Sequence, residues 1–192
     1  MMEHDIVCTN PPFSLFREYI DQLMVHGKEF AVIGNINALT YKNVFGYMQA
    51  NRLWTGNHHP KKFLQPDGSI KQMGNICWFT NMPVPKLLEP IELRCKYTPE
   101  MYPRYDNYDA INVNRVEDIP VDYPGVMGVP LTYLMVHCPA QFEIIGVEES
   151  SGKGLSGGLL HEAATEVMPM VKGYRLYTRV FIRHLNPEPA QP

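Results

Sequence analysis

Two consecutive prolines, Pro11 and Pro12, stand between a short apolar run, Asp5-Ile6-Val7-Cys8-Thr9, and a segment whose apolar residues recur every three or four positions. Proline has a fixed φ and no N–H to give to a ladder, so a strand entering from the N-terminal side must stop there. The run before it reads as a buried strand. Beyond it, Leu15, Phe16, Tyr19, Ile20, Leu23 and Met24 share one helical face, Ser14 is placed to cap the helix and Gly27 to end it. The pattern dictates a strand, a rigid turn and an amphipathic helix in immediate succession.

The alternation continues. Glu29 to Gly34 reads as a second strand, and Tyr41 to Asn51 as a second helix with Thr40 as cap and Val44, Phe45 and Met48 facing inward. Strand–helix alternation favours a parallel α/β sheet, and such sheets bind ligands at the carboxyl ends of their strands, where Asn10 to Phe13 lies. From Pro60 onward the grain changes. Candidate strands at Ile76 to Thr80, Ile91 to Tyr97, Leu131 to His137, Phe142 to Val147 and Tyr174 to Arg183 are separated by Pro-, Gly- and Asn-rich loops, the longest from Thr98 to Gly128. We therefore expect an α/β core over residues 1–97, a loop-rich, β-containing part over 98–185 and a disordered tail over 186–192.

With 192 residues and 45% hydrophobic content, the chain has enough apolar material for one packed domain with an appended lobe. No run approaches the ~20 apolar residues of a membrane span, and Glu3, His4 and Asp5 do not make a basic leader, so a cytoplasmic location is expected. Cys8, Cys77, Cys95 and Cys138 form no CxxC pair and read as reduced, packed thiols. His58 and His59 lack a third ligand nearby, so no metal is expected. A net charge of −3 gives no global attraction to nucleic acid; any binding must come from a local basic patch.

Asn10-Pro11-Pro12-Phe13, at a strand end, resembles the Asn/Asp/Ser-Pro-Pro-Tyr/Phe/Trp signature shared by amino-methyltransferases, and that resemblance implies methyl transfer to an amino nitrogen such as that of adenine. An adenine amino nitrogen is a poor nucleophile because its lone pair is delocalised into the ring. Two acceptors that take its protons leave the lone pair free to attack a methyl donor, and the Asn10 side-chain oxygen and the Pro11 carbonyl are suited to that task. The prolines keep the loop rigid and rich in carbonyls, and Phe13 offers a face on which a flipped-out base can stack. The bland alternative is a turn with a packed phenylalanine.

The likeness extends well past these four residues. Residues 5–19, 32–42, 74–81, 96–113, 125–132 and 142–146 together resemble the EcoRI-type adenine-specific DNA methyltransferases, with an echo in Leu176 to Arg183. The resemblance implies a partial Rossmann-like methyltransferase sheet and transfer of a methyl group from S-adenosylmethionine to the N6 nitrogen of an adenine flipped out of double-stranded DNA. It gives the acceptor-binding role to Asn10, Pro11, Pro12 and Phe13. Family members carry a further N-terminal region with the donor-binding loop, whereas this chain opens within a few residues of Asp5, so the donor pocket is expected to be missing.

One other segment is a formal donor loop. Gly152-Lys153-Gly154-Leu155-Ser156-Gly157 follows a strand and precedes a possible helix at Leu159 to Met168, as a permuted methyltransferase would require. Against it, Glu148 to Ser151 separate strand from glycines, and Tyr177 stands where an acidic residue belongs. For DNA contact, Arg175, Arg179 and Arg183 would line one side of a last strand about 13 Å apart, and Lys61 and Lys62 lie with Arg52 near Trp54, His58 and His59. A charged edge strand and a solvated turn are the plainer readings. The tyrosines and acids around Tyr102, Tyr105, Tyr108, Tyr123, Asp106 and Asp109 have no purpose legible from the sequence.

Two functions remain open. The chain is an adenine methyltransferase, completed by another chain or retaining weak donor binding, or it is an inactive shortened relative from a phage or mobile element that binds DNA or blocks a nuclease. Either way, a cut sheet is expected to bury residues near Ile6, Val7 and Val32 in a homodimer or against a partner chain.

Overall fold

In the computed structural model, which describes residues 6–56, 58–85 and 89–189, the run before the prolines is strand β1, Ile6–Thr9. It sits at the edge of a four-stranded sheet with β2 (Glu29–Asn35), β3 (Trp54–Thr55) and β6 (Ile76–Thr80), in the order β1-β2-β6-β3. Because it is an edge strand, only Val7 is buried, while Ile6 is 53% exposed and Cys8 is exposed too. The fully buried strand and packed Cys8 expected from the sequence are corrected accordingly. Val7 and Val32 are buried within the chain itself, so of the three residues expected to await a partner only Ile6 is open.

Helices α1 (Phe16–Val25) and α2 (Lys42–Gln49) bury the expected faces, Phe16, Ile20, Leu23 and Met24 on one and Val44, Phe45 and Met48 on the other. They are laced together where Asn43 Nδ2 donates to the Arg17 carbonyl at 3.0 Å and Tyr47 donates to Asp21 at 2.9 Å. Phe16 meets Phe79 of β6 edge-on at 5.0 Å. A Cβ on Gly34 would stand 2.5 Å from the Phe16 ring, so a glycine lets α1 seat this closely on the sheet. Neither predicted cap forms. A 3-10 turn at Phe13–Leu15 precedes α1 and makes Leu15 the exposed N-cap residue in place of Ser14. Thr40 belongs to another such turn, Ile36–Thr40, and its hydroxyl donates to the Asn37 carbonyl. Gly27 ends α1 as expected, at φ +61, with Lys28 N–H donating to the Leu23 carbonyl.

The sheet is mixed. β1 and β2 are parallel, with Val7 opposite Phe30 and Thr9 opposite Val32, whereas β6 runs antiparallel to both β2 and β3. Strand–helix alternation specifies a parallel crossover only for β1-α1-β2. After α2 the chain enters short β3 and then a separate hairpin, β4 (Lys62–Leu64) and β5 (Ile70–Gln72), before returning as β6. The wholly parallel sheet is thus replaced by a mixed α/β arrangement.

The chain divides into two units, Met1–Val84 and Pro85–Pro192. The sequence placed its boundary at 97; residues 91–95 are tied to the second unit because Gln141 exchanges hydrogen bonds with both backbone groups of Ile91 and Cys95 bridges to Pro120. Within that unit, β7 (Ile111–Asn112), β8 (Val126–Pro130), β9 (Phe142–Val147) and β12 (Arg179–His184) form a sheet in the order β7-β8-β12-β9. β10 (Met170–Val171) and β11 (Tyr174–Arg175) make a small hairpin. Ile91 to Tyr97 is no strand beyond the single Cys95 bridge, and Leu131–Met135 is a 3-10 helix that turns Tyr133 and Leu134 inward together, a helical rather than alternating burial.

Residues 105–112 buckle this unit together. The Asp106 carboxylate accepts from the N–H groups of Lys172 and Gly173, both at positive φ, and so closes the β10–β11 turn. Asn107 donates to the carbonyls of Glu166 and Met168 and accepts from Met170 N–H, while Tyr108 donates to the Val167 carbonyl. Further back, the Leu159 carbonyl accepts from Asp109 N–H and Leu160 bridges to Tyr108, so the first turn of the helix expected over Leu159 to Met168 is lost and the segment is irregular. The aromatic-acidic loop acts as this clasp.

Candidate active site

Asn10 leaves β1 at its carboxyl end and is exposed; Pro11 behind it is buried, Pro12 exposed and Phe13 half-buried. The Pro12 carbonyl accepts from Leu15 N–H at 3.0 Å, which folds the chain into the 3-10 turn and commits that oxygen to the backbone. A buried proline, a closed turn and Phe16 locked against Phe79 hold the loop from three directions. Parallel pairing brings the end of β2 to the same side of the sheet. There Asn35 accepts from Asn37 N–H at 2.8 Å, and the Arg17 guanidinium lies 4.7 Å over the Tyr41 ring. The sequence reading missed this second asparagine-bearing strand end; the signal was Gly34-Asn35-Ile36-Asn37, an amide pair after a strand as Asn10 follows β1.

The three arginines suggested for DNA contact do not form one row. Tyr174 to Arg183 is two strands, with Arg175 on β11 and Arg179 and Arg183 on β12. β12 is central in its sheet, so neither the single arginine row nor the charged edge strand is realised. Arg179 is only 6% exposed and spends its guanidinium on Asn112 and the carbonyls of Tyr177 and Thr178. It is turned away from solvent and from any phosphate. Arg175 pairs with Glu166, and Arg183 lies 3.7 Å from Glu143. Lys61 and Lys62 are exposed at the start of the β4–β5 hairpin.

The glycine loop answers the question of a permuted donor site. Glu149 accepts from Gly154 N–H at 2.6 Å and from Ser156 Oγ at 2.6 Å, and these hydrogen bonds hold its carboxyl below the ordinary range. Neighbouring Glu148 is fully buried and accepts from the Ser150 N–H and hydroxyl and the Ser151 hydroxyl. The donors that would greet an anionic or polar ligand are already spent on the loop's own carboxylate. A Cβ at Gly146 would meet the Leu155 carbonyl at 2.3 Å, so the loop also lies flat on β9. The segment does not fit S-adenosylmethionine.

The whole segment from the first strand to the end of β12 matches a family model described as adenine-specific methyltransferase EcoRI, over residues 1–185. The chain belongs to the EcoRI adenine-specific methyltransferase family. One relative in this EcoRI family is the type II methyltransferase M.EcoRI of Escherichia coli, 43% identical over an alignment of 173 positions that covers 78% of this chain and 53% of that protein. M.MgeORF184P of Mycoplasma genitalium is 38% identical and M.MpnI of Mycoplasma pneumoniae 37% identical, each over an alignment of 166 positions that covers 76% of this chain and 52% of theirs. This member of the EcoRI family thus spans about half the length of the curated relatives it matches. No solved structure matches it. Among the described residues, no helix is long and apolar enough to cross a membrane.

Proposed function

We propose that this chain supplies the acceptor-base side of an adenine-N6 DNA methyltransferase, on a β1-α1-β2 unit that is part of a Rossmann-like sheet. The observation that carries the reading is the exposed Asn10 at the carboxyl end of β1, in a proline-stiffened loop, within a chain of the EcoRI family. In this reading duplex DNA gives up one adenine from its stack, at a cost of about a few kcal/mol, and the base rests against Phe13. The Asn10 amide oxygen and the Pro11 carbonyl accept the two amino protons. The Pro12 carbonyl already accepts from Leu15 N–H, and Pro12 serves the motif by stiffening the loop. S-adenosylmethionine is the methyl donor the family implies; the glycine loop of this chain does not hold it, and the residues here act on the acceptor alone.

DNA contact falls to exposed Lys61 and Lys62, with Arg175 and Arg183 as further candidates that must first leave Glu166 and Glu143. A second copy or a partner chain pairs with the open edge of β1 beside Ile6. Incubation with DNA and radiolabelled S-adenosylmethionine, followed by nucleoside analysis, tests the reading. Label in N6-methyladenine supports it and label in methylcytosine rejects it; if no label is transferred, a duplex with 2-aminopurine in place of adenine decides, since fluorescence of an unstacked base supports the acceptor role and unchanged fluorescence with the duplex bound rejects it.

A further inference from the structure

We propose that the β4–β5 hairpin is a two-stranded ribbon that enters the DNA major groove, with Lys61, Lys62 and Lys71 on the flanking phosphates and the Leu64–Ile70 pair against the base edges. The inference rests on the reading that the chain acts on duplex DNA, and adds to it the element that makes the contact.

The hairpin pairs Lys62 with Gln72, Phe63 with Lys71 and Leu64 with Ile70. Leu64 is 77% and Ile70 65% exposed, although they stand directly opposite one another near the tip. A lone two-stranded ribbon is marginal in water, and a paired apolar patch at its tip is placed for a partner rather than for its own core. The tip is preformed. Gln65 N–H donates to the Ser69 carbonyl at 2.8 Å, Gly68 turns at φ +81, and Asp67 accepts from the Ser69 N–H and hydroxyl. The hairpin's one carboxylate is thus bonded within the turn.

Charge and width select the partner. Residues 60–73 hold three lysines against the single Asp67, in a chain whose net charge is −3. An anionic polymer fits that local excess, and lysine meets phosphates as a point charge without demanding a fixed geometry. Two strands about 4.8 Å apart, with side chains on both faces, match a major groove about 12 Å wide and are too broad for a minor groove of about 6 Å. By strand alternation Lys62, Leu64, Ile70 and Gln72 share a face, which places apolar contact at the tip and polar contact at the base. Among base edges in the major groove, the thymine methyl group is the apolar feature.

Fluorescence anisotropy of the full chain with a mixed-sequence duplex, carried from about 50 to about 200 mM salt, reads the phosphate contacts. Lys61→Ala/Lys62→Ala/Lys71→Ala is expected to weaken binding and to lower the log–log salt slope by about one per lysine. A second duplex, with deoxyuridine in place of every thymidine, reads the groove contact: the unaltered chain prefers thymine, and Leu64→Ala/Ile70→Ala loses that preference with its salt slope unchanged. All five side chains are accessible, so unchanged thermal midpoints will show that the variants are folded. A triple-lysine variant with the original slope overturns the phosphate contacts, and a double variant that keeps the thymine preference overturns the groove placement. Failure of the unaltered chain to bind any duplex is a different result, and rejects the DNA-acting reading itself.

Discussion

Asn10 is worth more for its oxygen than for its amide. If it accepts an amino proton of the target base, Asn10→Ala should lower methyl transfer by about 10²- to 10³-fold, while Asn10→Asp, which still presents acceptors, should retain more of it. Duplex affinity should stay within about twofold in both, since the loss is confined to the reacting geometry; a labelled-methyl assay paired with anisotropy separates the two effects. A different residue sets the acid limit of the fold. His137 is buried and lies 2.9 Å from the Tyr133 hydroxyl, and burial pushes its imidazole down to about 4. Burial lowers His184 in the same direction. Such a histidine is neutral when folded, and the unfolded chain binds the extra proton. Its contribution is therefore complete above the unfolded value near pH 6.5 and is lost as pH falls toward about 4, on the order of 3 kcal/mol. Denaturant unfolding across that window should show the loss, and His137→Asn should flatten it.

Among the elements, the clasp over residues 105–112 makes the sharpest prediction. Asn107→Ala leaves the Glu166 and Met168 carbonyls and the Met170 N–H without their partner, a cost of about 1–3 kcal/mol. Hydrogen exchange should quicken at 166–173 and remain slow in β12, whose ladders with β8 and β9 are untouched. This clasp also shows where sequence reading reaches its limit. The first crossover was legible because its signals are local: two prolines stop β1, a 3.6-residue face makes α1, and Gly27 ends it. The rigid turn at Pro11 and Pro12 was legible for the same reason. The direction of β6, the inward turn of Arg179 and the irregular segment 159–168 depend on partners dozens of residues away, Asp109 to Leu159 among them, and no spacing rule encodes such pairs. The Gly152 to Gly157 run fails differently. Its glycines do serve a tight loop, but the anion it cradles is the carboxylate of Glu149, three residues upstream.

At the scale of the molecule, the division at Val84 and Pro85 leaves the second unit with its own four-stranded sheet and its own core around Tyr105, Tyr108, Ala110 and Phe181. A fragment covering residues 85–189 should therefore fold alone, with a cooperative melt and dispersed amide resonances; a collapsed spectrum without a melting transition would contradict it. The chain as a whole is net negative, yet its β4–β5 hairpin carries three lysines against one carboxylate. Approaching a duplex, such a molecule gains little long-range pull, because most orientations are repelled or indifferent and only a hairpin-first collision is attractive. Its electrostatics would work less as an accelerator than as a filter on collision geometry, so added salt should shorten the residence time of the complex more than it slows the rate of encounter.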